Sequence, residues 1–288
     1  MCGRFLVLSD EDNTEILEIM KSIDKKYSGR KTFAAGEIFP GTDIPVLTRP
    51  AGGSGQYDIP ISAKSADDIG LGINNATATS AAHIINGSPY TKTQPGRSNS
   101  PANNTISQPI RSSSPTNSSL YDPNLAHWGF PLPGKSRSSQ IINARSETLT
   151  EKPMFRNLVD TQRCLIPANG FFEWAQLQDT TSSPPSTGKK SKFLIKPSGI
   201  YGSKGNSFFY MAGLINRLRV ADDTFTDCVV IITTSASTQM SKIHNRMPVM
   251  FDQSMADYWL SAETGFKKIS ADGLMEPWAG NLDIDKVA

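Results

Sequence analysis

The chain has 288 residues, room for one sizeable core or two small ones, yet only 38% are apolar, which is low for a chain that packs throughout. A net charge of +2 is too mild to argue for nucleic acid by itself, and no run approaches the ~20 apolar residues of a membrane span. Cys2, Cys164 and Cys228 have no paired spacing, which excludes a disulfide framework or a zinc ribbon and fits a reducing compartment. The opening Met-Cys-Gly-Arg-Phe has neither a charged lead nor a long apolar stretch, so no secretory leader is expected.

Along the chain, Arg4–Leu8 reads as a strand, and after Ser9 a helix is expected with Ile16, Leu17, Met20 and Ile23 on one face. Ile44–Thr48 gives a second short strand. From residue 49 to 120 Ser, Asn, Thr, Pro and Gly dominate, as in RSNSPANNTISQPIRSSSPTNSS; so little apolar surface cannot offset ordering entropy, so a disordered insertion is expected. A helix is predicted within Ser146–Asp160. RCLIPANGFFEWAQ reads as two strands about an Asn169-Gly170 hairpin turn. Residues 179–191 read as an extended loop, followed by strands in KFLIK, SFFYMAGLINR and DCVVIITT and a helix over Ser254–Leu260. Strand and helix do not alternate, which excludes a doubly wound sheet. The expectation is an α+β fold with a curved, barrel-like, mainly antiparallel sheet and a few helices, one domain formed by residues 1–48 and 121–280.

Four places carry chemistry. Removal of Met1 ahead of a small residue leaves Cys2 with a thiol and a free α-amine on neighbouring carbons. Such an amine titrates near ~7.7–8.0, so part of it is neutral and nucleophilic at physiological pH. With an aldehyde it can form a Schiff base, which the thiol then closes to a five-membered thiazolidine. Many chains begin Met-Cys without using it; Gly3, which lets a ligand approach, and Arg4, which suits phosphate, favour a site. In INARSET, Asn143 and Arg145 are two apart and would share one side of a strand end, or else form an ordinary strand-to-helix connection. Glu173 lies between Phe172 and Trp174, whose bulk would desolvate it toward acid–base use; an outward strand glutamate is the plain alternative. His244, in the polar stretch SKIHNRMPVM with Arg246, suits proton transfer. His83 falls in the insertion, and His127 beside Trp128 reads as structural. No His or Cys spacing fits a metal, so neither metal nor other cofactor is expected.

In their order along the chain, MCGRF, HWGFP with INARSET, RCLIPANGFFEW, MAGLINR and VIITTSAS…IHNRMPVM resemble the SRAP (SOS-response-associated peptidase) family outside the two insertions. The resemblance implies a single domain with a positive channel for single-stranded DNA containing abasic sites. There Cys2 traps the ring-opened sugar aldehyde as a thiazolidine cross-link that shields the lesion. It further implies that Asn143 holds the amine and the sugar, that Glu173 is the acid–base, and that His244 orients and protonates the sugar oxygen. Arg4, Arg145 and Arg156 would contact phosphates, and Trp128 would line the channel. A monomer without cofactor or membrane partner is expected, in the nucleus or the cytoplasm with the nucleus favoured. The family's name carries a self-processing peptidase activity that would remove Met1; the long insertion after Pro45 has no place in the common core. Two rival readings stay open: an N-terminal-nucleophile glutamine amidotransferase, which also begins Met-Cys-Gly, and a non-enzymatic reader of modified DNA.

Overall fold

The computed structural model describes residues 2–8, 13–29, 33, 35–50, 121–132, 139–175, 190–199, 208–220, 224–261 and 263–287. His83, residues 51–120 of the insertion expected over 49–120, and nearly all of the loop expected over 179–191 lie outside them. In chain order the elements are β1 (Arg4–Val7), α1 (Thr14–Tyr27), β2 (Gly36–Ile38), β3 (Asp43–Thr48), β4 (Asp122–Trp128), β5 (Phe130–Pro131), β6 (Gln140–Ile141) and β7 (Asn143–Arg145). They continue with α2 (Pro153–Arg156), β8 (Arg163–Ala168), β9 (Gly170–Ala175), β10 (Ser191–Pro197), β11 (Phe209–Arg219) and β12 (Phe225–Ser235). Last come β13 (Arg246–Pro248), β14 (Met250–Phe251), α3 (Gln253–Leu260), α4 (Phe266–Ala271) and β15 (Leu282–Val287). This is the expected α+β fold, mostly sheet.

The apolar runs of β8, β11 and β12 are buried along most of their length, as strands covered on both faces must be. They join β3 and β4 in a closed ring, β12-β4-β3-β8-β11, sealed by β11 pairing back onto β12. An odd ring cannot be antiparallel at every joint. The parallel pair falls between β12 and β4, at Cys228↔His127 and Val229↔Trp128. A second, wholly antiparallel sheet runs β15-β10-β9-β1-β2 and packs against the barrel through residues such as Phe5, whose ring meets Trp128 edge-on at 5.2 Å.

The Asn169-Gly170 pair joins these two layers and does not turn a hairpin. A type I′ turn needs positive φ at both residues, and neither has it. β8 pairs with β11 and β3 in the barrel, whereas β9 pairs with β1 and β10. Asn169 stitches the corner to β1, donating to the Leu6 carbonyl at 2.8 Å and accepting from the Leu8 N–H at 2.7 Å. Gly170 is needed for room: a Cβ there would sit 2.7 Å from Leu194 Cδ1 and 3.1 Å from the Ile195 carbonyl.

Three further expectations shift. The segment 146–160 is not one helix: a 3₁₀ turn at Ser146–Thr148 ends before Lys152, which is extended ahead of Pro153, as the pre-proline position favours, and α2 starts afresh. On α1 the buried face is Ile16, Ile19 and Ile23, with Leu17 only half-buried. Beyond residue 280, where the domain was expected to end, β15 pairs with β10 over six residues. Among the described residues no helix is long and apolar enough to cross a membrane.

Candidate active site around Cys2

Cys2 sits two residues ahead of β1, fully buried, its Sγ 3.7 Å from the Arg4 carbonyl. Its own carbonyl accepts a 2.9 Å hydrogen bond from Asn143 Nδ2, which reaches it from β7. β7 is a short shelf paired in parallel with β12, Asn143 opposite Ile231 and Arg145 opposite Thr233. Just ahead of the shelf, the Ile142 carbonyl takes hydrogen bonds from Trp128 Nε1 at 3.0 Å and from the Ile231 N–H at 3.1 Å. The Asn143 Oδ1 is buried and accepts no hydrogen bond among the described residues. Burial pushes the Cys2 thiol far above its ordinary range, the nearby Glu173 carboxylate adds to this, and the positive chain terminus pulls the other way.

Glu173 reaches Cys2 from β9, the strand next to β1. Side chains alternate along a strand, so Phe172 and Trp174 share the Arg4 face and Glu173 points to the opposite, buried one. The aromatic opposite it is Phe193 on β10, not its sequence neighbours.

His244 lies just before β13, which pairs with the end of β12. Its Nδ1 accepts from the Arg246 backbone N–H at 3.0 Å. The Arg246 guanidinium forms a two-pronged ion pair with Glu147 on the turn after β7, its Nη2–Oε2 arm at 2.9 Å, and also donates to the Thr233 carbonyl at 2.7 Å. The β7 turn and the His244 loop are thereby bolted together across β12. That hydrogen bond from Arg246 holds the Glu147 carboxyl below the usual range.

Arg145 is exposed, on the same side of β7 as Asn143, and Arg156 is exposed on α2. Arg4 is half-exposed on the outer face of the second sheet, ion-paired with Glu37 at 3.0 Å and lying over the rings of Phe39 and Trp174, at 4.5 and 4.9 Å. Lys192 completes this face, 2.5 Å from the other Glu37 oxygen and 4.1 Å from the Phe172 ring centroid. Burial works against Glu37, but hydrogen bonds from Lys192 and Arg4 outweigh it and hold its carboxyl low.

Trp128 is placed differently from the expected channel wall. It is fully buried, and its only polar atom is spent on Ile142. It therefore meets the site from beneath, as the support of the shelf that carries Asn143. Cys164 and Cys228 are buried too, and burial pushes both thiols up, that of Cys228 to about 12. His127 lies between Asp43 at 3.7 Å and Gln140 at 3.0 Å. Among the described residues no three His, Cys, Asp or Glu side chains gather as a metal site would need.

The family model of SRAP, the SOS response associated peptidases, matches residues 1–288. The chain belongs to the SRAP family. This SRAP chain is 35% identical over 122 residues to the abasic site processing protein YobE of Bacillus subtilis, covering 42% of the chain and 49% of that protein. It is 29% identical over 143 residues to the abasic site processing protein YedK of Escherichia coli, covering 50% and 57%. With the abasic site processing protein HMCES of Xenopus tropicalis it shares 32% over 117 residues, covering 38% and 34%. The matched stretch thus spans about half the length, or less, of these curated relatives. A solved structure of a Bordetella bronchiseptica protein superposes with a TM-score of 0.55 at 17% identity, covering all of both chains. A phage-related protein from the same organism gives 0.51 at 18%, covering 99% and 94%. Both show the SRAP chain's fold.

Two partnerships in this SRAP domain are not signalled by the sequence: Glu147 with Arg246, and Glu37 with Arg4 and Lys192. Strand alternation would have set Lys192 on one face with Leu194 and Lys196. Nothing in the spacing of Glu147 and Arg246, 99 residues apart, announces that they meet.

Proposed function

We propose that this chain processes abasic sites in single-stranded DNA by trapping the ring-opened sugar aldehyde covalently on Cys2. The observation that carries the reading is the Asn143 amide: its Nδ2 grips the Cys2 carbonyl while its buried Oδ1 accepts nothing among the described residues. Once Met1 is removed, the Cys2 nitrogen becomes an amine, and that oxygen is the acceptor that would hold it with its lone pair turned outward. The names of YobE, YedK and HMCES, all abasic site processing proteins, support the same substrate class.

In the closed sugar, Glu173 takes the proton of the anomeric hydroxyl while His244 gives one to the ring oxygen, opening the aldehyde. The neutral amine attacks the aldehyde carbon, giving up one proton to the new oxygen, which becomes a hydroxyl, and the other to His244, which is thereby restored. Glu173 returns its proton to the departing hydroxyl, so that one water leaves and a C=N bond forms. The Cys2 sulfur then adds to the same carbon and its proton passes to the nitrogen. One C–N and one C–S bond are made for each water released. A thiol kept protonated by burial lets the amine act first and carries the proton that the ring nitrogen needs. The exposed Arg145 and Arg156, with Arg4, bind the flanking phosphates, and such binding weakens as salt rises.

Incubation with a single-stranded abasic oligonucleotide, read on a denaturing gel, tests this. A version keeping one residue ahead of Cys2 retains the thiol but has an amide in place of the amine, and should give no stable adduct. Cys2→Ser should give an adduct only after borohydride trapping. Equal cross-linking by the blocked protein, verified intact by mass spectrometry, would defeat the mechanism. Glutamine hydrolysis by the unblocked protein would favour the amidotransferase instead.

A further inference from the structure

We infer that Glu147 is a positioning residue for the chemistry at Cys2, acting through Arg246 on the His244 ring. The inference rests on the reading of His244 as the acid for the sugar ring oxygen. The His244 Nδ1 lies 3.0 Å from the Arg246 backbone N–H, which can only donate, and 3.3 Å from the Arg246 carbonyl, which can only accept; the shorter contact is the one made when Nδ1 is bare and the proton of the neutral ring sits on Nε2. The backbone of Arg246 thus selects which nitrogen can give a proton to the substrate.

What holds that backbone is the Arg246 side chain. Only 13% of it is exposed, against 50% for its partner Glu147, so the guanidinium is largely withdrawn from water and depends on being paired. It is gripped by both Glu147 oxygens and by the carbonyl of Thr233, a buried residue that stands between Arg145 on β7 and Pro248 on β13. A neutral amide in place of the carboxylate cannot accept on both arms. The guanidinium then loses its counter-charge and turns toward solvent, and the loop holding His244 loses its register. Lysine in place of arginine offers one point charge and cannot bridge Glu147 and Thr233 in this planar way.

The test is Glu147→Gln, with Arg246→Lys as a second route to the same break and His244→Ala as the reference. Three quantities are read: affinity for an unmodified single-stranded oligonucleotide, single-turnover cross-linking at saturating abasic DNA, and imidazole ¹⁵N shifts of His244. Glu147→Gln should bind DNA as tightly as the native protein or more tightly, since one negative charge is gone. It should cross-link roughly 10-fold more slowly, the scale of a displaced catalytic group, and its His244 spectrum should move from the Nε2–H form toward a mixture. Arg246→Lys should cross-link as slowly, and the double variant no more slowly than the worse single one, because the two act as a unit. A native rate and native spectrum in Glu147→Gln, with His244→Ala slow, overturns the inference. So does a slowed rate with an unchanged His244 spectrum, or tighter binding alone, which would make Glu147 a mere competitor of phosphate. If Glu147→Gln does not fold, Arg246→Lys decides by the same readouts. Native-rate cross-linking by His244→Ala would instead overturn the acid role of His244, and the positioning role of Glu147 with it.

Discussion

Trp128→Leu separates a core support from a DNA-facing aromatic. The leucine keeps the site apolar but removes three things the structure shows. The indole N–H bonded to the Ile142 carbonyl contributes about 1 kcal/mol. The edge-on contact with Phe5 contributes about another. The lost volume, about 60 Å³ at ~24 cal/mol per Å³, costs about 1.5 kcal/mol if the surroundings do not collapse. Together these predict about 3 to 4 kcal/mol, or roughly 7–15 °C in Tm for a domain of this size. Differential scanning calorimetry and a urea titration measure it, beside binding of unmodified single-stranded DNA at several salt concentrations. Stability should fall while the salt dependence of binding stays native, because no phosphate contact is touched. A native Tm with binding weaker by the ~1–3 kcal/mol of one lost base stack would refute the buried placement and restore the ring to the DNA surface.

Glu173→Gln keeps shape and should slow cross-linking by roughly 10²-fold, measured in single turnover; unchanged kinetics would return it to the status of a strand residue. Replacing residues 51–119 by a short turn should leave cross-linking native, since Thr48 and Asp122 already face each other across β3 and β4. By loop-closure entropy the shortening adds up to ~2 kcal/mol of stability, and failure to obtain folded protein would show that the segment packs despite its composition. Single-stranded abasic DNA should react faster than the same lesion in a duplex, where the sugar must first be unstacked, and equal rates would count against a single-strand channel. Glu147 is held below its ordinary value by the hydrogen bond from Arg246, so its contribution is complete above about pH 4.3 and is lost as pH falls through the lower folded value. The Tm gap between the native protein and Glu147→Gln should therefore stay constant from pH 8 to about 6 and close in strong acid; a gap that widened on acidification would reverse the sign of this linkage.

Local pattern reached the strands because burial writes itself along them: Cys164 to Ala168 and Val229 to Ile232 are buried without interruption, and such runs are strand cores whatever they pair with. Pairing was another matter. Asn169-Gly170 carries the composition of a tight turn, yet tertiary context uses the asparagine amide to sew two sheets and the glycine to let Leu194 approach. The four residues expected to do chemistry were legible as types. Cys2 and Asn143 are brought into contact, and Glu173 is placed near the thiol. Glu147 stayed hidden because its meaning depends on Arg246, which is close only after β7 and β13 have both docked on β12. Trp128 is misleading for a related reason: an indole beside a histidine looks the same in sequence whether it faces solvent or the floor of a shelf.

The dispersal of this site over the chain has a consequence for how the protein is made. Cys2 leaves the ribosome among the first residues, while His244 and the β12–β13 frame that holds it come after more than two hundred others, roughly ten to fifty seconds later at usual elongation rates. Through that interval Cys2 stands without the Asn143 amide on its carbonyl and without the strands that bury its thiol. The burial of Cys2 and the Asn143 contact that grips its carbonyl are therefore late acquisitions, made only once β7 has docked on β12.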